Sequence, residues 1–162
     1  MSPNSFVPPA LLDSSLSSIL ATIDEWPVPH AAAAVIHREA VIATHGETER
    51  VFRLASISKV IAGWTCLIAV EEGSVSLDDA VGPPGSTLRH CLAHAAGYGF
   101  DTATPIMGVG KRRIYSNTGI EIAAKHVAER TGFMFADYMN EAIFEPLGMS
   151  DTSLKASPAY AV

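Results

Sequence analysis

The apolar positions of residues 1–50 follow first a helical period and then the pattern of two short strands. Between residues 11 and 26 they recur at spacings of three and four, which predicts a helix that Pro27 ends. The runs "HAAAAVIH" and "AVIATH", at 30–37 and 40–45, carry Val and Ile and are separated by Arg38 and Glu39, which predicts a tight β-hairpin. We therefore expect residues 1–50 to form one helix and one hairpin.

The remaining residues, 51–162, have mainly the helical period. Gly73 stands where a left-handed C-terminal cap is expected, after a stripe with spacings of three and four: Ile57, Val60, Ile61, Trp64, Leu67 and Ile68. Thr118 and Glu121 have the spacing of a capping box and predict a helix that Gly132 closes. A further stripe over 135–143 predicts another helix. The fold class is α+β, with residues 1–162 as a single domain.

Composition narrows the possible functions. A chain of 162 residues, 48% hydrophobic and 17% charged, suits one domain with a real core. Its net charge is −6 and its longest basic run has three residues, so nucleic acid is not an expected partner. No stretch approaches the roughly eighteen apolar residues of a membrane span, and residues 1–20 lack the pattern of a signal peptide, which favours the cytoplasm. Cys66 and Cys91 share no metal or redox spacing and are predicted to be buried free thiols.

The stretch "RLASISKV", residues 53–60, carries the strongest candidate chemistry. Residues three apart share a helix face with Cβ atoms roughly 5–6 Å apart, so Ser56 can meet Lys59, whereas the adjacent Ser58 cannot. A serine becomes a useful nucleophile when a base takes its proton, and a helix N-terminus offers N–H groups to a developing oxyanion. The alternative interpretation is structural: Ser56 caps the helix and Lys59 is a solvated charge.

Four stretches in order then resemble one family. "FRLASISKVIAGWTCLIAVEEGSVSLDD" resembles the Ser-x-x-Lys region of the serine β-lactamase and penicillin-binding-protein superfamily. "YSNTGIEIAAKHVAERTG" is similar to the Tyr-x-Asn motif of the branch that holds class C β-lactamases, D-Ala-D-Ala carboxypeptidases and related esterases. "LRHCLAHAAGYGF" and "YMNEAIFEPLGMSDTSL" resemble two further segments of that branch. The resemblance runs from about Val51 to Leu154 and concerns the N-terminal portion of the fold.

The resemblance implies roles for individual residues. Ser56 is the nucleophile, Lys59 its base or proton relay, and Tyr115 a second proton-transfer group. Asn117 holds Lys59 and the substrate amide or ester, and the N–H of Ser56 is one oxyanion donor. The product is an acyl-enzyme that water hydrolyses, with no metal or organic cofactor.

Other candidate residues carry less weight. Tyr98 and Phe100 follow the "CLAH" segment closely and are predicted to border a substrate cleft. A zinc site built from His90, Cys91 and His94 lacks the accompanying glutamate of zinc proteases, so a hydrogen-bonded structural His94 is favoured.

The third motif of the family, Lys-Thr-Gly or His-x-Gly on an inner strand, does not follow Tyr115. A two-stranded hairpin is marginal alone, and the closing "SPAYAV" shows no cap, so we expect an incomplete fold that lacks its C-terminal strands. A missing C-terminal segment or a second chain would complete the sheet. Three hypotheses remain: a serine hydrolase acting on an ester, amide or β-lactam, with an esterase or small-peptide hydrolase favoured; an inactive acyl- or peptide-binding module; and a non-autonomous fragment.

Overall fold

A computed structural model describes residues 9–38 and 40–154, with side chains from residue 15 onward. It separates into two compact units, Met1–Phe52 and Arg53–Val162, which are considered one at a time. Two sequence predictions, the place of Glu39 in the hairpin turn and the uncapped "SPAYAV" end, concern residues outside the described ranges. Across the described residues, no helix combines the length and the apolar character that crossing a membrane requires.

The first unit contains the predicted helix and hairpin. Helix α1 spans Pro9–Leu20 and continues as a 3₁₀ turn, Ala21–Glu25. Strands β1 (Ala32–His37) and β2 (Ala40–Gly46) pair antiparallel, with an irregularity in register between Val35 and Ile36. The alanine-rich run thus forms a strand even though alanine favours helices, because its cross-strand partners fix it in the ladder.

The second unit is helical and carries the candidate chemistry. A 3₁₀ turn, Ala55–Ile57, leads into α2 (Ser58–Glu71). The short helix α3 (Leu88–Leu92) follows, then α4 (Asn117–Thr131), then α5 (Phe135–Met139) with a π-helical turn, Asn140–Phe144. Gly73 and Gly132 adopt φ of 77° and 78° after α2 and α4, which confirms the two predicted glycine stops.

The start predicted for α4 is wrong. Thr118 and Glu121 lie inside the helix, and Ser116 is its N-cap, with extended backbone and an Oγ that accepts a hydrogen bond from Gly119 N at 3.1 Å. Ser116 is the last extended residue before the helix, so its hydroxyl can accept a hydrogen bond from a free N–H of the first turn. Thr118 already lies within the helix and is not at the capping position.

The core of the second unit lies on the small-residue face of α2. Ala62, Thr65, Cys66 and Ala69 are buried there. The core cluster that contains Cys66 and Ala69 draws on α3 and α4 through Leu88, Cys91, Ala123 and Val127. Small side chains let the helices approach closely. Both cysteines are buried free thiols, as predicted, and burial raises the pKa of Cys66 to about 12.

The opposite face of α2 is apolar and exposed. Val60, Trp64 and Leu67 are 73%, 51% and 49% exposed. With Leu77, Leu92 and the open position at Gly63 they line a groove of about 580 Å³ that begins at Lys59. Most of the apolar stripe that predicted the helix is therefore exposed, and α2 packs its small-residue face into the core of its own unit.

Candidate active site

The tight turn before α2 sets the position of Ser56. Ala55 has φ of 46°, a left-handed conformation that is strained for a residue with a Cβ, and such strain gathers at functional sites. Ser58 donates its hydroxyl proton to Ala55 O at 2.6 Å, which holds this backbone in place. Ser58 is thus a support of the turn, consistent with the register argument that separated it from Lys59.

Ser56 and Lys59 meet on one face of the turn. Lys59 Nζ donates a hydrogen bond to Ser56 Oγ at 3.1 Å. Ser56 lies in the 3₁₀ turn at 55–57 and Lys59 in the first turn of α2, and their spacing of three residues puts both side chains on one face of this junction. The structure therefore brings together the pair that helical spacing predicts.

Tyr115 faces this pair from the segment before α4. Lys59 Nζ lies 5.2 Å from the centre of the Tyr115 ring. The hydrogen bond with the Ser56 hydroxyl is the largest cause that lowers the pKa of Tyr115, and the positive charges of Lys59 and Arg113 act in the same direction. A phenol with a lowered pKa is better able to exchange a proton with Ser56 at neutral pH.

Asn117 is held by a residue that the sequence prediction missed. Its Nδ2 donates to Asp101 Oδ1 at 2.6 Å, and its backbone N–H donates to Phe100 O at 2.7 Å. Asn117 Oδ1 is buried without a hydrogen-bond partner among the described residues, so the amide presents an unsatisfied acceptor. The predicted contact is with Lys59, but the one observed is with Asp101, sixteen residues earlier in a loop, which no local spacing indicates.

The two aromatic residues predicted to border a cleft differ in position. Phe100 is 54% exposed and stacks on Tyr115, with ring centres 5.9 Å apart. Tyr98 is buried in the core cluster and pairs with Pro105 across an isolated bridge. Phe100 therefore forms the surface beside Tyr115, whereas Tyr98 lies in the packing of the same loop.

Within the described ranges, no three His, Cys, Asp or Glu side chains lie close enough together to bind a metal ion. His90 Nδ1 lies 2.8 Å from Thr87 Oγ1 in a capping box at the start of α3, and Cys91 is buried beside Val81 O. His94, the third residue weighed for zinc, accepts a hydrogen bond from Ser116 N at 3.1 Å, so the three residues serve separate local contacts.

The fold is that of β-lactamases and related peptidases. A β-lactamase from Mycobacterium bovis superposes with a TM-score of 0.82 at 48% identity, over 86% of this chain and 52% of that one. A β-lactamase/D-alanine carboxypeptidase from Yersinia pestis gives a TM-score of 0.71 at 20% identity, over 93% of this chain and 57% of that one. A D-amino acid amidase from Ochrobactrum anthropi gives a TM-score of 0.67 at 23% identity, over 90% of this chain and 55% of that one. The last two show the shared fold.

The family model named Beta-lactamase matches residues 21–160, and the chain belongs to that family. Penicillin-binding protein 4* of Bacillus subtilis is 27% identical over 65% of this chain and 31% of its own length. The predicted family and the α+β fold class are confirmed, and membership places the chain in a superfamily of serine hydrolases. The chain spans 52% of the M. bovis protein and 31% of the B. subtilis protein.

Proposed function

We propose that the full-length protein is a serine hydrolase that forms an acyl-enzyme on Ser56. The 3.1 Å contact between Lys59 Nζ and Ser56 Oγ carries this proposal, because it places a proton-transfer group on the candidate nucleophile. The phenol of Tyr115, which interacts with the same hydroxyl, supports it, as does the match to the family over residues 21–160.

The chemistry begins with removal of the Ser56 proton. Since Lys59 donates to Oγ in this arrangement, the hydroxyl proton passes to Tyr115 Oη, which accepts it in the phenolate form. The lowered pKa of Tyr115, caused mainly by its interaction with the Ser56 hydroxyl, makes that form more accessible. Oγ then bonds to the substrate carbonyl carbon, and the tetrahedral intermediate expels the alcohol or amine, which takes the proton from the Tyr115 and Lys59 pair. Water then gives a proton to Tyr115 Oη and bonds to the carbonyl carbon of the ester so formed. The C–Oγ bond breaks, Oγ takes that proton back, and the acid leaves.

The substrate class is an ester, an amide or a β-lactam. Phe100 presents an apolar face beside Tyr115, and the unsatisfied Oδ1 of Asn117 is an acceptor for a substrate N–H or for Lys59. The backbone N–H of Ser56 serves as one oxyanion donor in this proposal. An ester or small peptide is favoured over a cell-wall substrate by the predicted cytoplasmic location, which stays a prediction.

Two serines two positions apart give the test a matched control. A fluorophosphonate probe followed by intact-mass measurement should add one adduct to the full-length protein, and Ser56→Ala should abolish it. Ser58→Ala, which loosens the turn but leaves the Ser56 hydroxyl in place, should slow the formation of the adduct without abolishing it. Short p-nitrophenyl esters, nitrocefin and D-Ala-D-Ala peptides then separate the substrate classes. Labelling that survives in Ser56→Ala, or no adduct in the wild type, would contradict the proposal.

A binding module is the second candidate. The exposed ring of Phe100 and the unsatisfied Oδ1 of Asn117 can contact a ligand without any bond forming to Ser56. Such a module binds acyl or peptide ligands without turnover, and it predicts saturable binding of those ligands together with no adduct on Ser56.

A further inference from the structure

His94 packs against Tyr115 and contacts the chain on both sides of that tyrosine. Its carbonyl oxygen accepts a hydrogen bond from Ile114 N at 2.8 Å, and its ring Nδ1 accepts one from Ser116 N at 3.1 Å. Its imidazole also packs on the phenol ring, with centres 4.8 Å apart. Three contacts from one residue thus fix the position of Tyr115.

The backbone of His94 is itself held in an unusual conformation. Its φ is 58°, in the left-handed region, and its N–H donates to Cys91 O at 3.1 Å at the end of α3. Histidine and asparagine enter this region more readily than most residues, but the conformation is strained and needs support from its surroundings. This strain turns both the carbonyl and the ring toward the segment 114–116.

The hydrogen bond from Ser116 defines the protonation state that the contact needs. A backbone N–H can only donate, so Nδ1 must carry a lone pair, and the proton of the neutral ring lies on Nε2. The charged or titratable groups that face the ring are Lys59 from α2 and Arg113 and Tyr115 from the neighbouring segment. Burial first, and then the two cations, lower the pKa of His94, so the ring is neutral at pH 7.

We propose that His94 is a positioning residue, which holds the phenol of Tyr115 against Ser56 and Lys59 through its carbonyl and its unprotonated Nδ1. This inference rests on the proposed function, since it concerns how the proton-transfer geometry is maintained. Protonation of Nδ1 removes the acceptor for Ser116 N–H and releases one of the two backbone anchors of Tyr115. The rate of Ser56 acylation is therefore expected to fall as the pH is lowered through the pKa of His94. This decrease is the acid limb of the pH profile.

Two substitutions separate positioning from general packing. His94→Asn keeps an acceptor and tolerates a positive φ but cannot titrate, whereas His94→Ala loses the acceptor. In the full-length protein we expect His94→Ala to slow fluorophosphonate labelling at pH 7 about 10- to 100-fold, the scale of a displaced catalytic group. His94→Asn should restore most of the rate and lack the acid limb. His37→Asn, an exposed histidine at the end of β1, is the matched control and should change nothing.

A second readout does not depend on acylation. An ultraviolet titration of Tyr115, isolated by subtracting the Tyr115→Phe protein, should show a lowered pKa in the wild type and in His94→Asn, and a value nearer the ordinary one in His94→Ala. If the wild type forms no adduct, the proposed function fails, and this titration still decides the role of His94. Two outcomes would overturn the role of His94. In the first, His94→Ala and His94→Asn both keep the wild-type labelling rate and the wild-type pKa of Tyr115. In the second, both variants remain folded and lose the labelling rate equally. If His94→Ala does not fold, the acid limb and titration of His94→Asn carry the test.

Discussion

Asp101 Oδ1 accepts a hydrogen bond from Asn117 Nδ2 at 2.6 Å, across sixteen residues of chain. The contact decides which end of the amide faces Asp101, and it leaves the Asn117 carbonyl oxygen buried and unsatisfied. An amide whose orientation is fixed in this way presents an acceptor to the donor that enters beside it. The loop that carries Asp101 thereby sets the polarity of the site beside Tyr115.

Replacing Asp101 by alanine should slow acylation without unfolding the protein. Asn117 then loses the partner that fixes its amide, and the loss of a hydrogen bond to a charged group corresponds to about tenfold in rate. The rate of fluorophosphonate labelling measures the effect, and Asp151→Ala, at an exposed acid after the π-helical turn, is the control. Equal rates for Asp101→Ala and the wild type would show that the contact does not orient the amide for chemistry.

The N-cap of α4 can be tested by two hydroxyl substitutions. Ser116→Ala removes the acceptor for Gly119 N and should lower the free energy of unfolding by about 1 kcal/mol. Thr118→Ala, at the position of the mistaken capping box, should cost less, because Thr118 lies within the helix. Urea unfolding of both variants compares them directly, and a larger loss in Thr118→Ala would contradict the assigned cap.

Gly97 is required by both its backbone angle and its surroundings. Its φ is 92°, and a Cβ built there meets the carbonyl oxygen of Met107, whose N–H bonds to Gly97 O. Gly85 has a similar φ of 82° with open space around it, so Gly85→Ala should cost only the backbone strain, about 1 kcal/mol. Gly97→Ala should cost clearly more, because the loop over 97–107 must move. Similar thermal midpoints for the two variants would refute the steric argument.

Asp79 should make stability depend on pH in acid. Its carboxylate accepts from Ser76 N, the largest cause that lowers its pKa, and pairs with His126 Nε2 at 2.9 Å. A carboxyl whose folded pKa is lowered stabilises the fold above its unfolded value, 3.8, and this contribution is lost as pH falls from there through the folded pKa. Asp79→Asn should therefore lower the urea midpoint at pH 7, with a smaller difference from the wild type near pH 3.

The control for that experiment is Asp78→Asn. Asp78 pairs with Arg89 at 3.0 Å, but its side chain is 75% exposed, and exposed ion pairs contribute little to stability. The urea midpoint of Asp78→Asn should stay close to that of the wild type across the same pH range. A loss for Asp78→Asn as large as that for Asp79→Asn would show that charge alone, rather than the contacts of Asp79, causes the effect.

Sequence reasoning succeeded where the signal was local. The spacing of Ser56 and Lys59, and glycines such as Gly132 at helix ends, depend on a few neighbouring residues, and the structure places them as expected. The capping box failed because two residues with the right spacing, Thr118 and Glu121, followed a better cap by two positions. Local patterns identify the kind of element more reliably than its first residue.

Contacts between segments far apart in the chain could not be predicted from the sequence. Asp101 meets Asn117 only because the loop after α3 folds back over the start of α4, and no periodicity links the two. The apolar stripe of α2 predicted the helix, but the residues that α2 buries fully are the small ones on its other face. A hydrophobic stripe predicts a helix, but the surface that the helix buries depends on what packs against it.

The exposed face of α2 also gives the protein an internal optical reporter. Trp64, at the groove that begins beside Lys59, is one of two tryptophans in the sequence, and the other, Trp26, belongs to the first unit. Indole fluorescence shifts to shorter wavelength when water is excluded from the ring. In a Trp26→Phe background, the emission of Trp64 would record the covering of the groove by any ligand or polypeptide in real time, without a label and without chemistry at Ser56.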